Sequence, residues 1–214
     1  MKYLPRLLMV VAALSMLSLF FYPMWQISLF APQYPDGVTM YIHIDKIGGT
    51  SPGTLQNVNI LNHYVGMKKI EPDAIPELKY FPYIIGSLLG LALIAALIDR
   101  APLYLGWGIL LVVISMLGFY DFYLWEYDYG HDLSPTAPIV IPGASFQPPL
   151  IGKKMILNFT AYSLPHIGGW MAGVAMISSF LAYFLKRRLA NQEIAPVKRV
   201  INQKLQWAKS MKSQ

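Results

Sequence analysis

The sequence predicts an all-α integral membrane protein with four transmembrane helices and a small cap, containing a β-hairpin, on the outer side of the membrane. Of its 214 residues, 55% are hydrophobic and only 13% are charged, whereas a typical soluble domain has about 25% charged residues. A soluble fold of this composition would leave apolar surface uncovered. In addition, four apolar segments are each long enough to cross a bilayer, which takes roughly 20 residues.

These apolar segments divide the chain into crossings and connections. The predicted crossings are Leu7–Trp25, Pro82–Ile98, Leu103–Leu124 and Ile167–Leu185. Residues 26–81 and 125–166 form two long outer loops, and residues 186–214 form a tail. The first crossing follows Lys2 and Arg6, as a secretory signal would, but the run FFYPMWQISLF lacks the small residues of a cleavage site. We therefore expect an uncleaved anchor in residues 1–25, with a cleaved signal as the alternative.

The distribution of lysine and arginine predicts the orientation. With the N-terminus inside, the inner segments hold Lys2, Arg6, Arg100, Lys186, Arg187, Arg188, Lys198, Arg199, Lys204, Lys209 and Lys212. The outer loops hold Lys46, Lys68, Lys69, Lys79, Lys153 and Lys154, so eleven of the 17 basic residues lie inside although the inner segments are shorter. The positive-inside rule favours an N-in, C-in protein with both large loops on the outer side of the membrane. The net charge of +6 therefore reflects membrane topology, and we expect no nucleic-acid partner.

The tail resembles a membrane-surface helix. Its apolar residues, at helical spacing opposite lysines and arginines, are Val197, Val200, Ile201, Leu205, Ala208 and Met211. A basic amphipathic helix of this kind is expected to lie on anionic lipid. Docking onto a partner protein is the alternative.

The first outer loop contains the predicted hairpin. The stretch VTMYIHIDKI, residues 38–47, alternates apolar and polar side chains with the period of two that is typical of a half-buried strand. A turn-rich GGTSPGT follows, and LQNVNIL, residues 55–61, is predicted to be the returning strand. In the second loop, residues 119–129 are dense in aromatic side chains, as at a membrane interface. The proline-rich stretch after Ser134 predicts an ordered, extended loop.

The candidate metal ligands are histidines and methionines of the outer loops. The chain has no cysteine, so thiolate sites are excluded, but imidazole and thioether groups both suit copper. The candidates are His63 and Met67 of the stretch NHYVGM, together with His43, Met40, His131 and His166. The first two would share a helical face only if NHYVGM is helical, and Gly66 weakens a helix there. Ordinary hydrogen-bonded histidines are the alternative interpretation.

An enzyme and a transporter are weaker hypotheses. Asp121, Glu126, Asp128 and Asp132 form an acidic cluster near His131 that could perform acid–base chemistry. No nucleophile motif, phosphate loop or dinucleotide fingerprint accompanies it, so we expect no enzymatic activity and a hydrated acidic rim. Asp121 falls inside the third crossing, where a carboxylate is costly unless it faces a polar path or a partner. A subunit of a small-molecule or ion transport complex is therefore the second hypothesis.

Several long runs resemble a known family. These runs are WQISLFAPQYPDG at 25–37, NILNHYVGMK at 59–68, DFYLWEYDYGHDL at 121–133 and YSLPHIGGW at 162–170. They are similar to small bacterial membrane proteins encoded in nitrous-oxide-reductase gene clusters, beside a lipoprotein copper chaperone and an ABC transporter. The resemblance spans the chain up to about residue 185. It implies a non-enzymatic accessory protein, with membrane lipid around it and a periplasmic copper enzyme, copper chaperone or ABC transporter as partner.

Overall fold

The computed structural model describes residues 2–212, without the side chains of residues 193–202 and 204–212. In chain order the elements are α1 (Leu4–Ser18), β1 (Trp25–Ala31), β2 (Tyr34–Ile42), β3 (Ile47–Gly49), α2 (Thr54–Val65), α3 (Glu77–Ile98), α4 (Ala101–His131), β4 (Gly152–Ile156), β5 (Phe159–Pro165) and α5 (Ile167–Lys212). A single 3₁₀ turn, Pro72–Ala74, precedes α3. The four longest helices build a bundle, and the strands with α2 build a cap at one end of it.

Three helices of the bundle are long and apolar enough to cross a membrane: Glu77–Ile98, Ala101–His131 and the Ile167–Gln192 part of α5. These correspond to the second, third and fourth predicted crossings. The first helix has only 15 residues, about 22 Å at 1.5 Å per residue, which is less than the roughly 30 Å hydrocarbon core. A chain with three apolar helices of spanning length belongs in a membrane. A fourth crossing by α1 stays a prediction.

The bundle core is built from small and flexible side chains. Met9, Ala12 and Met16 of α1 are fully buried against α3 and α5, where Ala92 and Ala175 are also fully buried. Small residues let helix backbones approach closely, and this closeness replaces the hydrophobic effect as the source of attraction between helices in lipid. The short α1 is therefore packed along two longer helices.

The end of the bundle opposite the cap is held by one carboxylate. Asp99, in the tight connection between α3 and α4, accepts hydrogen bonds from Tyr104 Oη at 2.7 Å and Lys186 Nζ at 2.6 Å. Arg6 Nε lies 2.8 Å from Asp99 Oδ2. Three helices thus converge on a side chain that is only 11% exposed. The sequence analysis did not single out Asp99, although a lone acid between two apolar segments was a usable signal.

The cap is a five-stranded antiparallel sheet in the order β3-β2-β1-β5-β4. Its inner face has an apolar row that includes Ile27, paired with Met40 on β2 and Ser163 on β5. The end of α4, α2 and the loop before β4 pack on this face, and Phe146 of that loop is 1% exposed. The strands begin and end at Trp25, Ile42 and Pro165, next to the bundle. These ends of the strands therefore lie against the bundle, and the turns at their other ends point away from it.

Three expectations about the loops were wrong. LQNVNIL forms helix α2 and not a strand, because Leu55, Val58 and Leu61 recur at helical spacing and pack into the cap core. The strand that returns along β2 is instead β3. On its other side β2 pairs with β1, of which only Trp25 was assigned to the first crossing. That crossing ends early because the chain turns at Pro23 and then alternates buried and half-buried residues from Trp25 onward.

The second outer loop also contains more regular structure than expected. Helix α4 continues to His131, well beyond Leu124, and strands β4 and β5 follow the proline-rich segment, which is extended as predicted. The aromatic residues of α4 divide into two groups: Phe122, Trp125 and Tyr129 pack into the cap core, whereas Tyr120, Tyr123 and Tyr127 are exposed. Only the second group suits an interfacial belt. The tail is part of the continuous helix α5, but the faces of its predicted amphipathic pattern lie outside the residues whose side chains are described.

Candidate functional site

The junction of cap and bundle is built by backbone hydrogen bonds. Met24 N donates to Ile42 O at 2.8 Å, His166 N donates to Met24 O at 3.0 Å, and Gly168 N donates to Pro23 O at 2.8 Å. The close approach requires glycine: a Cβ on Gly168 would lie 2.7 Å from Pro23 O. The exit from α1, the end of β2 and the start of α5 are thereby fixed to one another.

Two of the predicted ligands, His43 and His166, lie at this junction, directly after β2 and β5, the two strands that flank β1. The His166 ring packs edge-on against Tyr41, with ring centroids 5.2 Å apart, while His43 N donates to Lys46 O in a tight turn. Burial, aided by the charges of Lys46 and His166, lowers the pKa of His43. Nδ1 of His166 is buried without a hydrogen-bond partner among the described residues. A neutral imidazole with a free nitrogen is the form in which histidine binds metals.

The stretch NHYVGM has a structural explanation. Helix α2 ends at Val65, Gly66 adopts φ = 80°, and Met67 N donates to Asn62 O at 2.9 Å. This is a Schellman cap, which needs glycine at the left-handed position. This turn at the end of α2 directs Met67 into the core beneath the sheet, while His63 stays exposed. The two side chains therefore point to different surroundings.

The remaining candidates are dispersed. Met40 is 3% exposed on the inner face of the sheet. His131 is stacked on Tyr127 with ring centroids 3.9 Å apart, and its Nδ1 lies 2.9 Å from Tyr127 O. Within residues 2–192, whose side chains are described, no three His, Cys, Asp or Glu side chains are grouped as a metal site. Of the six copper candidates, His43 and His166 lie at the same junction, at the ends of the two strands that flank β1.

The acidic cluster separates into three environments. Asp128 and Asp132 both lie 2.8 Å from Lys68 Nζ, and these contacts raise the pKa of Lys68. Asp121 is exposed on the outer surface of α4 and does not face the bundle interior. Glu126 alone is fully buried.

Glu126 lies beneath the loop that precedes β4. Its carboxylate oxygens have no hydrogen-bond partner among the described residues. Phe146 N donates to Gly130 O at 2.9 Å one helical turn away, and Lys154 Nζ donates to Gln147 O at 2.9 Å on the same loop. Burying an ionised carboxylate without a partner is costly. The sequence placed Glu126 in a hydrated rim; its burial depends on the loop and could not be read from local spacing.

The sequence matches no protein-family model and no curated protein at a significant level.

Proposed function

We propose that the chain is a non-enzymatic accessory protein of the bacterial inner membrane that supports maturation or copper supply of a periplasmic copper enzyme. In this proposal the bundle anchors the protein, the cap faces the periplasm, and His43 and His166 contact copper at the base of the cap. The observation on which the proposal chiefly depends is the placement of both histidines at the junction, at the ends of the two strands that flank β1.

The placement of charge supports the orientation. The helix ends that meet at Asp99 include Arg6, Arg100 and Lys186, followed on α5 by Arg187 and Arg188. Basic residues next to membrane segments favour the cytoplasmic side. The cap extends from the opposite end of the same helices, and this supports a periplasmic cap in the proposed orientation.

The chemistry of the pair supports copper. The pKa of His43 is lowered by burial and by neighbouring positive charge, so its imidazole is neutral at pH 7 and able to bind a metal. Imidazole is a good ligand for copper. The family that the chain resembles is encoded beside a copper chaperone and a copper enzyme, and this association is the reason for preferring copper over other ions that accept imidazole.

A Cu(I) titration of the full chain in detergent, with a chromophoric Cu(I) chelator as competitor, tests the metal. We expect His43→Ala/His166→Ala to weaken the tightest site by about tenfold or more, which is roughly 1.4 kcal/mol or more. The matched control, His63→Ala/Met67→Ala, removes one histidine and one methionine far from the junction and should bind as the wild type does. Equal Cu(I) affinity of both double variants would contradict copper binding at the junction.

The cellular part of the proposal has a separate measurement. In a strain that lacks this chain, the periplasmic copper enzyme should be purified with less copper per protomer. The wild-type gene should restore the copper content and the His43→Ala/His166→Ala gene should not. Full copper loading in the deletion strain would contradict the accessory role.

A further inference from the structure

The sheet of the cap has two edges that differ in accessibility. At one edge, β3 has only three residues and packs closely against the start of α2, where a Cβ on Gly49 would overlap the Thr54 side chain. At the other edge, β4 pairs with β5 alone, and Lys153, Lys154 and Met155 are exposed. An exposed strand edge is a template for a further strand.

The register identifies the free backbone groups of β4. The hairpin closes with Ile156 opposite Phe159 across a two-residue loop, followed by the pairs Lys154–Ala161 and Gly152–Ser163. In an antiparallel ladder, hydrogen-bonded pairs alternate with pairs that are not hydrogen-bonded. Counting back from the closing pair, Ile156, Lys154 and Gly152 bond to β5. The N–H and C=O groups of Lys153 and Met155 therefore point away from the sheet.

The side chains of the same two residues lie on the outer face of the sheet. Lys153 is paired with Tyr162, and its Nζ lies 5.4 Å from the Tyr162 ring centroid. Met155 is 73% exposed and is flanked by the half-exposed Leu157, whose φ of 53° is unusual for a leucine. The edge thus presents four backbone groups, one cation and one large apolar side chain.

The positive charge of the β4 edge favours an acidic partner segment over a second copy of β4. A second copy of β4 would bring two lysines from each copy onto one short ladder, and like charges on facing strands are destabilising. An added strand with a carboxylate opposite Lys153 would instead gain a charge pair. We propose that the β4 edge binds an extended segment of a partner protein with an acidic residue opposite Lys153 and an apolar residue, two positions away, opposite Met155. Main-chain hydrogen bonds would supply affinity and these two contacts would supply specificity, as in other cases of strand addition.

This inference rests on the proposed presentation of the cap to a partner protein, but it does not depend on copper. The probe is a capped synthetic peptide, Thr-Glu-Thr-Val-Thr-Glu-Thr, with its lysine analogue, Thr-Lys-Thr-Val-Thr-Lys-Thr, as control. Hydrogen–deuterium exchange of the full chain in nanodiscs reports on the amides, and fluorescence anisotropy of labelled peptide reports on affinity. We expect the acidic peptide to slow exchange at the amides of Lys153 and Met155 and the lysine peptide to have no effect.

Three variants separate the contributions of the backbone N–H, the Met155 side chain and the Lys153 charge. Met155→Pro removes an N–H that points away from β5, and proline is tolerated on edge strands, so the fold should persist while peptide affinity falls at least about tenfold. Met155→Ala keeps the N–H and should retain protection of both amides. Lys153→Glu should reverse the preference, with the lysine peptide binding more tightly than the acidic one.

Unprotected amides in the presence of the acidic peptide would overturn the proposal, as would binding that survives Met155→Pro or a preference unchanged by Lys153→Glu. Because the copper titration uses different residues and no peptide, a failure of strand addition would not contradict copper binding by the junction histidines. Likewise, a titration that shows no copper binding at the junction would not contradict strand addition at the β4 edge.

Discussion

The carboxylate of Asp99 is the most sharply testable element of the bundle. Its left-handed backbone, with φ = 56°, suits asparagine better than alanine, so Asp99→Asn removes the charge with the least backbone strain. Charge-assisted hydrogen bonds contribute about 1 kcal/mol more than neutral ones. The hydrogen bond from Lys186, which is 25% exposed, is counted at its full stabilisation. The contribution of Arg6, which is 45% exposed, is reduced because solvent screens it. The expected loss is about 2 kcal/mol.

Thermal unfolding in detergent at pH 7 measures this loss. For a chain of this length, about 2 kcal/mol corresponds to a Tm lower by roughly 4–8 °C. Asp45→Asn is the matched control, because Asp45 is exposed in a loop of the cap, and its Tm should equal that of the wild type. An Asp99→Asn protein as stable as the control would refute the idea that this carboxylate holds three helices together.

The same pair of proteins has a predicted pH dependence. Burial alone would raise the pKa of Asp99, but hydrogen bonds from Lys186, Tyr104 and Arg6 outweigh it, and the net pKa is lowered. A carboxyl with a lowered folded pKa stabilises the protein above its unfolded value of about 3.9 and loses that contribution as the pH falls further. The Tm difference between wild type and Asp99→Asn should therefore be constant from pH 7 to about pH 5 and shrink below about pH 4. A difference that persists undiminished under strongly acidic conditions would contradict the sign of this linkage.

Three further predictions concern the cap. Glu126→Gln removes a buried carboxylate that has no hydrogen-bond partner among the described residues, so the variant should be more stable at pH 8 by about 1–3 kcal/mol, and a lower Tm would be the contrary result. Gly130→Ala places a Cβ 2.4 Å from the Gln147 backbone, so overpacking should cost about 1–3 kcal/mol and increase proteolysis of the loop before β4. Trp25→Phe loses the 2.7 Å hydrogen bond from Nε1 to Ser163 Oγ and should lower stability by about 1–2 kcal/mol, as read from chemical unfolding.

Length and hydropathy were sufficient for the long helices but not for the cap. Helices α3 and α4 could be predicted because about 20 predominantly apolar residues with at most one charge have few alternatives to a membrane helix. Strand β1 was missed although Gln26 and Ser28 alternate with apolar residues, because the apolar run assigned to the first crossing continues directly into Trp25. Strand β4 was missed for the opposite reason. Lys153, Lys154 and Met155 are all exposed, so this edge strand shows no alternation of burial.

For the candidate site, the sequence predicted the ligand residues but not their arrangement in space. His43 and His166 were recognised as available ligands, but their proximity depends on the pairing of β1 with both β2 and β5, which brings distant parts of the chain together. The NHYVGM spacing, which looked more suggestive, is explained by a helix cap. Glu126 shows the same limit, since its burial is set by a loop that follows it by about twenty residues in the chain.

The most direct test of the account is the side of the membrane on which the cap lies. The natural chain has no cysteine, so Met155→Cys in the cap and Gln203→Cys in α5 each introduce a single reactive thiol. With a membrane-impermeant maleimide applied to spheroplasts, Met155→Cys should be labelled and Gln203→Cys should be labelled only after the membrane is permeabilised. Labelling of Gln203→Cys in intact spheroplasts, with Met155→Cys protected, would place the cap in the cytoplasm and contradict its presentation to a periplasmic partner.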